Sequence, residues 1–183
     1  MIRKLTLGLA ATAILATTPA VLAPVSAEDT QFFPALVYRT GPYAPNGIPT
    51  ANGMIDYMKY VNAKGGVNGV KLTWEECETG YNTKRGVECY ERLKAKNPVV
   101  VFPYSTGITY QLIPKAPSDK IVIHSMGYGR TDASDGRVFP WVFTTPTTYW
   151  SQASAFVKYI GAQEGGLDKL KGKKIALIYH NSA

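Results

Sequence analysis

Short apolar runs alternate with stretches of helical period along most of the chain. The runs "PALVYR", "VKLTWEEC", "VVVF", "KIVIH", "WVFTT" and "KKIALIY" are typical of strands. "VVVF" contains four apolar residues in a row without alternation, which predicts a strand buried on both faces, as in a parallel sheet.

Four helices are predicted between these strands from apolar residues at i, i+3, i+4 and i+7. They cover residues 49–63, the stretch from a cap at Asn82 to the break at Asn97-Pro98, residues 108–116, and a segment from Thr147 that places Trp150, Ala153, Val157 and Ile160 on one face. Strands that alternate with helices predict βαβ units with right-handed crossovers. The fold class is therefore α/β with a doubly wound parallel sheet.

The first 27 residues have the pattern of a secretory signal peptide. Arg3 and Lys4 precede an apolar stretch rich in Leu and Ala, and small residues end it at Val25-Ser26-Ala27. Pro19 and Pro24 interrupt this stretch before about 20 apolar residues accumulate, which argues against a membrane anchor. We expect export, cleavage after Ala27, and no stable membrane insertion afterwards.

The charge of the chain argues against nucleic acid as a partner. Loss of two basic residues with the signal peptide lowers the net charge from +7 to +5. The remaining basic residues are interleaved with acidic ones, as in "ECYERLKAK", and form no stripe that would follow phosphates.

The two cysteines, Cys77 and Cys89, are expected to form a disulfide in an oxidising compartment. A metal site is the weaker alternative, because neither His124 nor His180 lies near them with the spacing of a zinc site. No metal and no cofactor is predicted.

A polar quartet, "YSTG", follows the buried strand "VVVF". In open α/β sheets ligands bind beyond the carboxyl ends of strands, where the first N–H groups of a following helix have no intrahelical partner. Ser105 and Thr106 are therefore candidates for holding a carboxylate, and the alternative is that one of them is simply a helix N-cap. The loops "RTGPYAPNG" and "HSMGYGRT" end other strands, so Tyr43, Tyr104 and Tyr128 are expected at one rim.

Catalytic interpretations find less support in the sequence. His124 and Ser125 are adjacent, and adjacent side chains of an extended segment point to opposite faces. The chain has no G-x-S-x-G motif, and "GYGRTD" lacks the third glycine and the following helix of a dinucleotide site. We expect no enzyme activity.

Taken together, several motifs resemble a known family. The signal peptide, "GPYAPNG", "GGVNG", "YNTKRGVECYERL", "PYSTGITYQLIP" and "KLKGKKIALIYHNSA" resemble the periplasmic solute-binding proteins of branched-chain amino acid ABC importers, the leucine-binding protein family. The resemblance implies a type I periplasmic-binding-protein fold, in which two α/β lobes close over a small solute. It divides the chain into a signal peptide (1–27), an N-terminal ligand-binding lobe (28–145) and the incomplete start of a second lobe (146–183), and so suggests a C-terminally truncated copy.

The resemblance also implies roles for single residues. Ser105 and Thr106 would hold the ligand carboxylate, Ser125 would add a second contact, and the loop around Tyr43 would line the mouth of the cleft. The expected function is periplasmic capture of an amino acid or related small carboxylate and its delivery to an ABC permease. The alternative is a ligand-sensing module of a receptor built on the same fold, because fold does not determine function.

Overall fold

A parallel sheet lies at the centre of the computed structural model, which describes residues 29–125, 129 and 131–178. Its strands are β1 (Thr30–Val37), β2 (Lys71–Glu78), β3 (Val100–Val101), β4 (Val122–Ser125) and β5 (Val142–Thr144). β1 pairs with β2, and β4 lies between β3 and β5. A parallel bridge between Ala35 and Phe102 connects the two groups, so the order across the sheet is β2-β1-β3-β4-β5. This order confirms the predicted doubly wound α/β fold.

Helices follow the strands, as the pattern predicts, but several of their boundaries differ from the prediction. They are α1 (Ala44–Ala63), α2 (Thr83–Leu93), α3 (Thr106–Leu112), α4 (Ala116–Asp119) and α5 (Tyr149–Gln163). α1 begins five residues before the predicted start. The helix predicted over residues 108–116 is divided into α3 and α4, since Pro114 between them has no N–H and cannot continue the hydrogen-bond ladder. Within the described residues, no helix is both long enough and apolar enough to span a bilayer.

The two faces of β1 pack against different helices. Ala35 and Val37 lie in one apolar cluster with residues of α1 such as Ile55 and Met58. Leu36 points to the other face and lies in a second cluster with residues of α2 and α3, including Leu93 and Ile108. Burial of a side chain such as Leu36, which is 1% exposed, contributes about 1.5–3 kcal/mol. Side chains of β1 alternate between the two faces of the sheet, and helices therefore pack on both sides of it.

Close packing of α2 against α3 depends on Gly86. A Cβ atom on Gly86 would lie 2.3 Å from Cδ1 of Ile108, which is fully buried. Any larger residue at position 86 would therefore push α3 away from α2, and the residues before α3 would move with it.

The disulfide links the end of β2 to α2. The sulfur atoms of Cys77 and Cys89 are bonded, with an S–S distance of 2.00 Å, and the two positions are 12 apart in sequence. Cys89 is buried in the cluster on the α2 side of the sheet. The bond therefore fixes α2 beside the strand whose carboxyl end enters the candidate site.

Two expectations about strands are wrong. Val99 precedes β3 and is 54% exposed. Only part of the "VVVF" run is therefore buried, and not the whole run as predicted. Residues 173–178, predicted as a strand, have no regular secondary structure. A strand needs a neighbour for its N–H and C=O groups, and residues 173–178 pair with no strand in the described part of the chain.

The predicted apolar face of α5 is exposed to solvent. Trp150 is 75% exposed, and Val157 and Ile160 are also exposed. Ile178 is 94% exposed in the segment that follows. These apolar side chains are therefore largely uncovered by the described residues.

Candidate functional site

The candidate site lies where the order of the sheet reverses. The chain places β3 beside β1 on the side opposite β2, and open sheets of this kind bind ligands in the crevice at the carboxyl ends of the strands beside such a point. The loops that meet there carry Tyr38 to Tyr43 after β1, Thr79 to Asn82 after β2, and Phe102 to Ser105 after β3.

Four tyrosines from these three loops form a continuous aromatic cluster, which we call the tyrosine cluster. It consists of Tyr38, Tyr43, Tyr81 and Tyr104. The ring centroids of Tyr43 and Tyr81 are 4.3 Å apart, those of Tyr81 and Tyr38 are 5.0 Å apart, and those of Tyr38 and Tyr104 are 4.8 Å apart. Tyr104 also donates from its hydroxyl to Thr50 Oγ1 on α1, at 2.5 Å.

Ser105 lies at the start of α3, next to this cluster. Its Oγ accepts a hydrogen bond from the N–H of Ile108 at 3.4 Å, and its extended backbone is that of an N-cap. The Ser105 side chain also lies close enough to the Tyr81 hydroxyl to influence the pKa of Tyr81. Burial raises the pKa of Tyr81 above its usual value, although Ser105 opposes this effect. The side chain of Ser105 thus caps α3 beside the tyrosine cluster.

Thr106 forms a contact with an element from beyond β5. Its Oγ1 is 3.2 Å from the hydroxyl of Tyr149, the first residue of α5. Thr106 is 9% exposed, whereas Tyr149 is 42% exposed. A phenol and a threonine hydroxyl therefore share a hydrogen bond at the open side of the site.

The candidate residues from the sequence have different positions in the structure. Tyr43, Tyr104, Ser105 and Thr106 lie close together around the crevice. Ser125 ends β4, the strand next to β3, and is 2% exposed. Tyr128 lies outside the described residues.

Three tyrosines of the site were not among the predicted residues: Tyr38, Tyr81 and Tyr149. Tyr38 directly follows β1, and Tyr81 lies three residues after the end of β2, as Tyr104 does after β3. The strand-end rule could therefore have identified both. Tyr149 had no comparable signal, because its contact with Thr106 depends on how α5 packs.

His124 and Ser125 have different surroundings in the structure, although they are adjacent in sequence. His124 is exposed and its Nε2 is 2.7 Å from Thr145 Oγ1, whereas Ser125 beside it is buried. This matches the prediction that the two side chains point to opposite faces. No group of three or more His, Cys, Asp or Glu residues in the described ranges is arranged to hold a metal ion.

Comparison with protein families gives one match, which covers most of the chain. Residues 30–183 match the periplasmic binding protein family. A comparison with curated protein sequences found no significant match.

Solved structures with the same fold include several from ABC transport systems. A structure described as an ABC transporter permease from the Pseudomonas fluorescens group is 48% identical to this chain, with a TM-score of 0.75, and the alignment covers 85% of this chain and 39% of that one. A branched-chain amino acid ABC transporter from Thermus thermophilus with bound valine is 24% identical, with a TM-score of 0.64, and covers 74% of this chain and 35% of that one. A solute-binding protein from R. palustris in complex with 4-hydroxybenzoate is 18% identical, with a TM-score of 0.58 and coverage of 75% and 37%. The chain thus spans well under half the length of these proteins.

Proposed function

Because this chain belongs to the periplasmic binding protein family, we propose that it captures a small carboxylate, such as an amino acid, outside the cytoplasm and delivers it to an ABC permease. The proposal includes export through residues 1–27, which lie outside the described residues. It also includes binding without chemical conversion, because solved relatives are described as substrate-binding or solute-binding proteins.

One observation supports this function most directly: Ser105 and Thr106 lie at the carboxyl end of β3, beside the strand at which the sheet order reverses. Hydroxyl groups at this edge of a doubly wound sheet are placed where such sheets bind ligands. A carboxylate there would accept hydrogen bonds from these hydroxyls, and bonds to a charged acceptor are stronger than those between neutral groups.

We assign residues 28–145 to an N-terminal lobe that carries this site and residues 146–183 to the start of a second lobe. Ser125 and Tyr128 belong to the same proposed rim, from the loop after β4. Thr106 and Tyr149 lie on opposite sides of this proposed boundary, and their hydroxyl groups are in contact. Binding by lobe closure requires residues of both lobes to meet near the cleft. Ligand contacts made only in the closed arrangement would shift the equilibrium toward it.

The proposal is tested by adding candidate ligands to the purified protein and following its thermal unfolding. We chose L-valine and 4-hydroxybenzoate as probes, because similar proteins were solved with them. A ligand that binds the folded state stabilises it by RT ln(1 + [L]/Kd) and so raises the melting temperature as its concentration increases. We expect at least one probe to do so, with valinamide or 4-hydroxybenzamide, which lack the carboxylate, as the matched control giving a smaller shift. Equal shifts from acid and amide, or no shift from either acid, would contradict the proposed carboxylate site.

A further inference from the structure

A single carboxylate, that of Glu78, joins two of the loops that form the site. Glu78 is the last residue of β2 and is partly buried. Its Oε2 accepts a hydrogen bond from the backbone N–H of Arg39 at 2.8 Å. Its Oε1 accepts from the backbone N–H of Gly80 at 2.7 Å and from Thr40 Oγ1 at 3.1 Å. One oxygen therefore faces only the loop after β1, and the other contacts both loops.

The charge of Glu78 is stabilised by these hydrogen-bond donors. Burial by itself would raise the pKa of the Glu78 carboxyl, but the hydrogen bonds from Arg39, Gly80 and Thr40 outweigh burial, so the pKa is lowered. The guanidinium of Arg39 binds Glu76 instead, with Nε 2.6 Å from Oε2. Glu76 and Glu78 thus lie two residues apart on the same strand. Of the two, only Glu78 accepts hydrogen bonds from the backbone of the loops.

The loops after β1 and β2 approach each other closely beside this carboxylate. A Cβ on Gly41, whose φ is +83°, would lie 2.9 Å from the carbonyl oxygen of Gly80. Tyr81 has a φ of +60°, which is uncommon for a residue with a large side chain. The turn that produces this conformation is closed by a hydrogen bond from Tyr81 N–H to Thr79 Oγ1 at 3.1 Å.

Each loop carries one member of the closest pair in the tyrosine cluster. Tyr43 follows the loop after β1 and Tyr81 follows Gly80, and their centroids are 4.3 Å apart. Tyr81 in turn lies close enough to Ser105 of the proposed ligand site for Ser105 to lower the pKa of its hydroxyl. A displacement of either loop would therefore separate the Tyr43 and Tyr81 rings and change the surroundings of Ser105.

We propose that Glu78 is a positioning residue that fixes Tyr43 and Tyr81 beside Ser105 and so contributes to ligand affinity without contacting the ligand. The part concerning affinity rests on the proposed function, whereas the part concerning ring placement does not. Substitution of Glu78 by Gln is the sharpest test, because the amide keeps the shape but sets an NH2 group against the N–H of either Arg39 or Gly80, and both are donors.

The ring placement is measured without ligand, by NMR cross-relaxation between the aromatic protons of Tyr43 and Tyr81, assigned with the Tyr43→Phe and Tyr81→Phe variants. We expect a clear cross-peak in the unchanged protein and in Glu76→Gln, the control carboxylate on the same strand. The cross-peak should weaken in Glu78→Gln and disappear in Glu78→Ala. An unchanged cross-peak in the folded Glu78→Gln protein would overturn the proposal, even if its melting temperature is lower.

Affinity is measured on the same variants with L-valine and 4-hydroxybenzoate. Release of two side chains from fixed positions is expected to weaken binding about ten-fold in Glu78→Gln, with no loss in Glu76→Gln. If the rings separate while affinity stays the same, Glu78 has only a structural role and the proposal is wrong. If the unchanged protein binds neither probe, the proposed function fails, and the ring measurement still decides whether Glu78 positions the pair.

Discussion

The ring of Tyr38 stacks on the ring of Tyr104, with centroids 4.8 Å apart and planes 13° from parallel. Tyr38 follows β1 and Tyr104 follows β3, and the backbones of these strands are joined by the bridge between Ala35 and Phe102. Side chains therefore reinforce the junction at which the two parts of the sheet meet. The same stack is part of the tyrosine cluster.

A double-mutant cycle on this stack should give a favourable coupling energy. Tyr38→Leu and Tyr104→Leu keep apolar volume but remove the aromatic pair, and aromatic pairs contribute about 0.5–1.5 kcal/mol beyond burial. We expect a coupling in that range from urea unfolding of the single and double variants. The corresponding cycle on Tyr57 and Tyr60, exposed on α1 with centroids 6.3 Å apart, is the control and should give coupling near zero.

The sequence predicts the parts of this site that depend on neighbouring residues in the chain. It does not predict the parts that depend on contacts between residues far apart in sequence. The position of Ser105 follows from local pattern, because a buried run followed by Ser-Thr-Gly marks both a strand end and a helix start. The contacts between Tyr38 and Tyr104 and between Glu78 and Arg39 join residues 66 and 39 positions apart, and no periodicity encodes them. The strand predicted at residues 173–178 shows the same limit, because β-structure requires a partner strand that local sequence does not specify.

Loss of the disulfide should destabilise the protein without unfolding the strand-end loops. Closure of a loop of this size contributes about 3 kcal/mol in the chain-entropy estimate. We therefore expect Cys77→Ala/Cys89→Ala to lose about 2–4 kcal/mol in denaturant unfolding. Mass measurement of the exported protein without reductant should show the loss of two hydrogens relative to the reduced chain. Two thiols that alkylate freely in the exported protein would contradict the bond.

Replacement of Tyr90 by Phe should reduce stability and also change its pH dependence. The buried Tyr90 hydroxyl donates to Asp119 at 2.8 Å. Burial and the Asp119 carboxylate raise the pKa of Tyr90 above its ordinary value of 10.0. A raised pKa in the folded state means that the stabilisation is complete below about pH 10 and is lost as the pH rises above that value.

Tyr90→Phe should accordingly cost about 1.5 kcal/mol at pH 7, as expected for a lost bond to a charged acceptor. It should also make the decline in stability above about pH 10 shallower than in the unchanged protein. The exposed Tyr60→Phe is the control and should alter neither quantity. Identical alkaline profiles for Tyr90→Phe and the unchanged protein would exclude this role for the bond with Asp119.

The apolar surface of α5 should make this chain self-associate. Trp150 and Phe156 are 75% and 70% exposed, and exposed apolar patches promote association. We expect light scattering to rise with protein concentration and to fall in the Trp150→Gln/Phe156→Gln variant. Tyr57→Gln, a residue 66% exposed on α1, is the matched control. Equal scattering from all three proteins would show that the α5 surface does not drive association.

Replacement of Ser105 by Ala distinguishes a carboxylate ligand from a simple helix cap. The structure shows the cap, although the bond from Ile108 N–H to Ser105 Oγ is long at 3.4 Å. If Ser105 also holds a ligand carboxylate, its loss should weaken binding by about 1.5–3 kcal/mol, which is about ten-fold to a hundred-fold. Folding should then suffer less than binding. If Ser105 is only a cap, stability should fall by about 1 kcal/mol with affinity nearly unchanged.

Asn82→Ala provides the calibration, because Asn82 caps α2 at the same edge of the sheet by accepting from Arg85 N–H at 3.0 Å. Calorimetric titration with L-valine or 4-hydroxybenzoate and thermal melting of both variants give the two quantities. A Ser105→Ala variant that matches Asn82→Ala in both would restrict Ser105 to the start of α3.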